Sequence, residues 1–300
     1  CRPSVQHGMT VFNGKVAGET GRVYARYNSL VDSTNGALSL GAGSVSFVQV
    51  QQVATGIGNK TGAKSVTTDS NAVKFYSVGY DKDSNEVGLV SSVWSVLGGI
   101  GTVTTPGTNT NFDARTTGQG QVRAVYSALT AETGLVTVSV GLRDTVVLRN
   151  APGGAGANYS SSLTVKSDSL LKLYLAGYDR DRNYIKDVSA AWAVTGALSG
   201  VISSVLADSG VVFDPALASS GKIRSNGGFM ADSTGLVTVI AGGATQVLVE
   251  TANDGSGVVL PALYTTADSL ITVYAVLRDG AGNFVGLQNS RNWSVSGGIG

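Results

Sequence analysis

Three tryptophan segments recur at intervals of about a hundred residues along the 300-residue chain: VWSVLGGIG around Trp94, AWAVTGALSG around Trp192 and NWSVSGGIG around Trp293. Each follows a matching approach, KFYSVGYDKDSNEV, KLYLAGYDRDRNYI and TVYAVLRDGAGNFV, in which Asp81, Asp179 and Asp279 precede Asn85, Asn183 and Asn283 by four positions. A second series has the same period: GRVYARYNSLVDSTNGALSLGAG from Gly21, GQVRAVYSALTAETGLVTVSVG from Gly120 and GKIRSNGGFMADSTGLVTVIAG from Gly221. A period this long far exceeds a solenoid rung, so each repeat must be a domain with its own core.

Within a repeat the apolar residues alternate. Leu171, Leu173 and Leu175 point one way and Lys172 and Tyr174 the other, and Ile271, Val273 and Ala275 repeat the pattern beside Thr272 and Tyr274. Such strands have one buried face. No segment carries a capped apolar stripe at helical spacing, and the chain has 41 Gly against 5 Pro. Short strands, Gly/Asn/Asp turns and one Trp per repeat predict an all-β chain of two-sheet sandwiches, about 100 residues each. On that reading Trp94, Trp192 and Trp293 fill the space between the sheets.

Charge excludes several function classes. Lys plus Arg total 21 and Asp plus Glu 20, for a net charge of +1 with no cluster of either sign. Nucleic acid and anionic membrane are therefore poor partners, since each needs a concentrated basic surface. No run approaches the ~20 apolar residues of a membrane-spanning helix. The single cysteine, Cys1, forms no disulfide within one chain, so packing and hydrogen bonds must hold the fold.

The string A/G-x-x-D-x-x-G/S-N-x-V, followed by W-S-V-x-G-G-I-G, F-D-A, G-x-V and a closing T-G-L-V-T-V strand, resembles the bacterial immunoglobulin-like repeats of surface adhesins and extracellular arrays. The resemblance spans essentially the whole chain. It implies an exported, cell-surface, modular β-sandwich protein of a family that seldom performs catalysis, and no cofactor is expected beyond the calcium considered below.

Aligned on these motifs, complete repeats run over 45–144 and 145–244. Residues 1–44 match only the second half of a repeat and 245–300 only the first half. The two halves together amount to one domain. Two expectations follow: the chain is a window on a longer tandem array, or the halves of neighbouring subunits complete one shared sandwich. A lone half-sandwich exposes strand edges and one face of a core, a liability that a partner's strands would remove. Head-to-tail contacts of this kind do not close, so the chain's own copies would be its partners in a filament or stalk. The alternative is a surface adhesin segment whose domains bind a glycan or protein ligand.

Candidate sites are few. His7 and Cys1 are the only histidine and cysteine, and six residues apart in a strand they stand about 20 Å apart, beyond proton-transfer reach. No catalytic set can recur across the repeats, so no enzyme is expected. Asp81, Asp83 and Asn85, and Asp179, Asp181 and Asn183, offer oxygens at alternate positions as calcium requires. The third copy is DGAGNF, with Gly280 and Ala281 in place of ligands. A turn, in which Asp and Asn fold onto nearby amides, accounts for all three copies and a metal for two, so the turn is preferred. Tyr76, Tyr174 and Tyr274 lie opposite the core side chains, either as cross-strand partners or as an aromatic stripe for a glycan. Asn59, Asn158 and Asn292 stand in N-x-S/T triplets. Cys1 is either a lipid attachment point or, with Gly300, one side of a subunit junction.

Overall fold

The computed structural model describes residues 9–55, 58–206, 210–228, 230–289 and 292–297. Cys1, His7 and Gly300 lie outside them. All regular structure among the described residues is β-strand, and the chain divides into two compact units, 1–142 and 143–300.

In the first unit, β1 (Thr20–Gly21), β2 (Tyr24–Tyr27), β3 (Leu30–Ser33) and β4 (Leu38–Ser39) form two small hairpin sheets, β1 with β4 and β2 with β3. After them come β5 (Phe47–Gln51), β6 (Lys64–Thr67), β7 (Val73–Tyr80), β8 (Glu86–Leu89), β9 (Val93–Leu97), β10 (Gly101–Val103), β11 (Asn109–Ala114), β12 (Gly118–Tyr126), β13 (Leu129–Glu132) and β14 (Val136–Ser139). These ten strands make a sandwich. One sheet runs β10-β11-β7-β5 with β8 also on β7, and the other runs β13-β12-β14-β6 with β9 also on β12. Only β6 and β14 are parallel within it.

The second unit repeats the plan with β15 (Arg143–Arg149), β16 (Leu163–Lys166), β17 (Leu171–Asp179), β18 (Tyr184–Asp187), β19 (Ala191–Gly196), β20 (Gly200–Leu206), β21 (Gly210–Pro215), β22 (Ser219–Asn226), β23 (Ala231–Ser233) and β24 (Val237–Ile240). Its sheets are β15-β17-β21-β20 with β18, and β16-β24-β22-β19 with β23, and again one pair, β16–β24, is parallel. A separate three-stranded sheet follows, made of β25 (Gln246–Glu250), β26 (Tyr274–Arg278) and β27 (Phe284–Leu287). Among the described residues the fold is thus all-β, with two complete immunoglobulin-like two-sheet sandwiches at its centre.

The repeat read from the sequence is a repeat of register. Gly21 pairs with Leu38, Gly120 with Val136 and Gly221 with Val237. The bulge where the strand meets the Asp–Asn turn also recurs, between Gly79 and Tyr80, Gly177 and Tyr178, and Leu277 and Arg278.

Period-two alternation delivers the core. In the first sandwich Val50, Phe75 and Phe112 from one sheet meet Trp94, Val122, Ala124 and Val136 from the other, all buried. Each aromatic or branched side chain removed from water in this way is worth about 1.5–3 kcal/mol. In the second, Leu171, Leu173 and Phe213 face Ile223, Val237 and Val239, with Trp192 packed at the margin. Gly120 and Gly221 are needed where they stand. A Cβ on Gly120 would lie 2.0 Å from the Leu97 carbonyl oxygen, and one on Gly221 would lie 2.0 Å from that of Thr195, because the tryptophan strand passes directly against each.

Candidate functional site

The Asp–Asn motif folds as a closed turn in all three copies. The Asp81 N–H donates to the Asn85 carbonyl at 3.0 Å, the Asp179 N–H to Asn183 at 3.0 Å and the Asp279 N–H to Asn283 at 3.1 Å. The residue before each Asn donates back to the Asp carbonyl and has positive φ: Ser84 at 70°, Arg182 at 67° and Gly282 at 87°. That left-handed position explains the glycine of the third copy. Inside the turn one carboxylate oxygen of Asp81 accepts the N–H groups of Asp83 and Asn85, at 3.0 and 2.9 Å, while the other accepts the Asn85 amide at 2.9 Å. Asp179 holds Asn183 in the same way, at 2.8 Å through the backbone and 3.0 Å through the amide. Asp279 holds Ala281 and Asn283 at 3.0 and 2.8 Å.

These carboxylates face donors. The second oxygen of Asp81 also accepts the Gly43 N–H at 2.9 Å, so the roughly four lone-pair sites of the group are occupied. Asp83 is paired with Lys82, and Asp181 is exposed. Among the described residues no three His, Cys, Asp or Glu side chains converge as a metal-binding group. In this geometry the Asp and Asn side chains are taken up by the turn's own hydrogen bonds. Chelation is expected to leave thermal melting unchanged, whereas a loss of several degrees that calcium restores would reassign Asp81, Asp83, Asp179 and Asp181 as ligands.

Hydrogen bonding also sets the acidity of the turns. The Gly43 N–H and then the Asn85 amide bring the Asp81 carboxyl down to about 2 from an ordinary value of 3.8. Burial pushes Asp279 up, but the Ser167 hydroxyl, the Asn283 amide and the Gly242 N–H outweigh it and hold the group well below the usual carboxylate range. A carboxyl whose folded value is depressed favours the folded state fully above its unfolded value. The Asp81 contribution is therefore complete above pH 3.8 and is lost as the pH falls through about 2. A carboxyl carbon NMR titration is expected to place the Asp81 midpoint near 2, and a midpoint at 3.8 would show that these bonds are not made in solution.

The other candidates are spread over the surface and the core. Trp94 is 2% exposed, and its indole N–H donates to the Gly107 carbonyl at 2.8 Å. Trp192 is half-buried between two clusters. Trp293, expected in a core, is instead 53% exposed and stands outside the strands, whereas Trp94 lies in β9 and Trp192 in β19. Tyr76, Tyr174 and Tyr274 are half-buried opposite Gln51, Arg149 and Glu250 on the neighbouring strand. The Lys74 ammonium lies 5.5 Å from the Tyr76 ring centre, a cation–π distance. Asn59, Asn158 and Asn292 are exposed.

The sequence reading overlooked what Gln51, Arg149 and Glu250 do. Gln51 donates to the Tyr80 hydroxyl at 2.6 Å, the Arg149 guanidinium lies 5.3 Å over the Tyr178 ring, and Glu250 makes a two-pronged ion pair with Arg278 at 2.5 and 2.8 Å. One position pair thus has three chemical solutions. The signal available was a polar residue closing each of these three strands, Gln51, Arg149 and Glu250, with Tyr80, Tyr178 or Arg278 just ahead of the turn Asp.

Exposed apolar side chains collect in two segments. In 10–44 the apolar side chains of Tyr24, Tyr27, Leu30 and Val31 are exposed, and in 245–297 Tyr264 and Leu270 are 97% and 100% exposed. A Cβ added at Gly21 would meet nothing within 4 Å, in contrast with Gly120 and Gly221. Among the described residues, no counterpart of the strand that backs Gly120 and Gly221 passes beside Gly21.

No family model and no curated relative matches the chain. Solved structures that align with it include surface layer protein SbsC domains 4–9, at 13% identity and a TM-score of 0.26 over 79% of this chain and 37% of that one. FdeC, an Escherichia coli adhesin, aligns at 15% identity and 0.33 over 80% of this chain and 76% of that one. Invasin, a bacterial integrin-binding protein, aligns at 13% identity and 0.30 over 80% and 50%. The chain spans little more than a third of the SbsC structure.

Proposed function

We propose that the chain is a non-catalytic structural element of a bacterial extracellular filament or stalk. Sandwiches at 45–144 and 145–244 are its links, and half-units 1–44 and 245–300 of neighbouring copies complete one another head to tail. The observation that carries this reading is the open space over Gly21. In the complete sandwiches a tryptophan strand runs there, with Leu97 or Thr195, three residues after the Trp, presenting its carbonyl to the glycine. The corresponding residue after the exposed Trp293 is Ser296. The open space beside Gly21 and the uncovered segment around Trp293 are complementary parts. Gly98, Gly196 and Gly297 each stand four residues after the Trp with φ between 71° and 82°, so the backbone of the third copy bends there as in the complete ones.

Negative-stain imaging of the purified chain tests the reading, with long uniform filaments as the expected result. Gly21→Val is expected to leave both sandwiches melting as before and to abolish the filaments, since the added side chain occupies the space of the incoming strand. Short rods from the unaltered chain, or normal filaments from Gly21→Val, would overturn head-to-tail completion and favour an adhesin segment.

A further inference from the structure

We propose that the Asp–Asn turn is a coupling element between consecutive repeats, whose asparagine docks onto a backbone bend of the repeat before it. Two copies show the contact. The Asn85 amide donates to the Lys15 carbonyl at 2.9 Å, while the Ala17 N–H donates to the Asn85 side-chain oxygen at 2.9 Å. The Asn283 amide donates to the Ala216 carbonyl at 2.9 Å, and the Ala218 N–H donates to the Asn283 oxygen at 2.6 Å. A carboxamide carries a donor and an acceptor side by side, which matches a carbonyl and the N–H two residues later.

The aspartate supplies the second attachment. Asp81 takes the Gly43 N–H and Asp279 takes the Gly242 N–H, each at 2.9 Å, from residues just ahead of the next first strand. Its carboxylate also holds the asparagine amide, at 2.9 Å in one copy and 2.8 Å in the other, so the docking group is oriented before it meets its partner. A single covalent linker leaves two bodies free to twist, whereas contacts at the bend and at the linker fix both tilt and rotation. The ligand of this site is therefore main chain. The gripped sequences are Lys-Val-Ala at 15–17 and Ala-Leu-Ala at 216–218, and only their backbones are read. Glutamate or aspartate could not replace the asparagine, because a carboxylate has no donor for the Lys15 or Ala216 carbonyl. The coupling holds whichever way the open half-sheets are completed.

The test uses the full chain, with residue-resolved amide exchange at Ala17 and the relative alignment of 10–43 and 47–142 from residual dipolar couplings. Asn85→Ala is expected to speed exchange of the Ala17 amide roughly five- to tenfold, the effect of one lost hydrogen bond, and to loosen the alignment. Ala17→Pro removes the gripped N–H from the other side and should loosen the alignment equally, with the 47–142 sandwich melting unchanged. Lys15→Ser with Val16→Ser alters only side chains and should change neither readout. Unchanged alignment in Ala17→Pro would overturn the proposal even if Asn85→Ala failed to fold. So would a loosening by the Lys15 and Val16 changes as large as that by Ala17→Pro.

Discussion

A chain lacking residues 1–44 is expected to remain unpolymerised while keeping two folded sandwiches between residues 45 and 244. The strands removed are those proposed to cover the exposed apolar side chains of 245–297 in the next copy, Leu270, Ile271 and Trp293 among them. In such an assembly, folding of the junction domain and polymerisation are one event. The buried surface then rivals a domain core, and dissociation requires strands to leave a sandwich. Contacts of that size break slowly, so the loss of filaments should be complete rather than graded. A peptide of residues 1–44 added in excess to the intact chain should cap free 245–300 halves and shorten the fibres. Normal filaments from the truncated chain would show that the complementary halves play no part in assembly.

Trp94→Ala is expected to destabilise the first sandwich by about 3–5 kcal/mol, followed through a probe in that sandwich. The residue is 2% exposed and belongs to one buried cluster with Val50, Phe75 and Val122, which would relax only in part around the cavity. Its loss also frees the Gly107 carbonyl from the indole N–H. Trp293→Ala should stay within about 0.5 kcal/mol in the unassembled chain, since a 53% exposed ring has little packing to forfeit. On assembly that difference should disappear. A Trp94→Ala variant that melts with the parent would remove the residue from the core and the interlocked sandwich with it.

Two kinds of information meet in these repeats. Strand alternation, the positive-φ glycines after each tryptophan and the Asp–Asn turn depend on a few neighbouring residues, and local sterics and hydrogen bonding settle them. The Asp–x–x–x–Asn spacing therefore announced a turn in three places, including the copy whose middle residues are Gly280 and Ala281. The series beginning at Gly21, Gly120 and Gly221 was likewise legible as a repeat, and the structure shows that it repeats a register. Side-chain environment was not legible in the same way. Trp94, Trp192 and Trp293 stand in nearly identical words, yet one is buried, one half-buried and one exposed, because burial is decided by the sheet that lies opposite. Nor could spacing show that Asn85 reaches Lys15 and Ala17, about seventy residues back in the chain. A turn is closed by its own atoms, so the sequence alone determines it; what a tryptophan packs against, or what an asparagine amide finds within 3 Å, depends on elements brought together only by the tertiary fold.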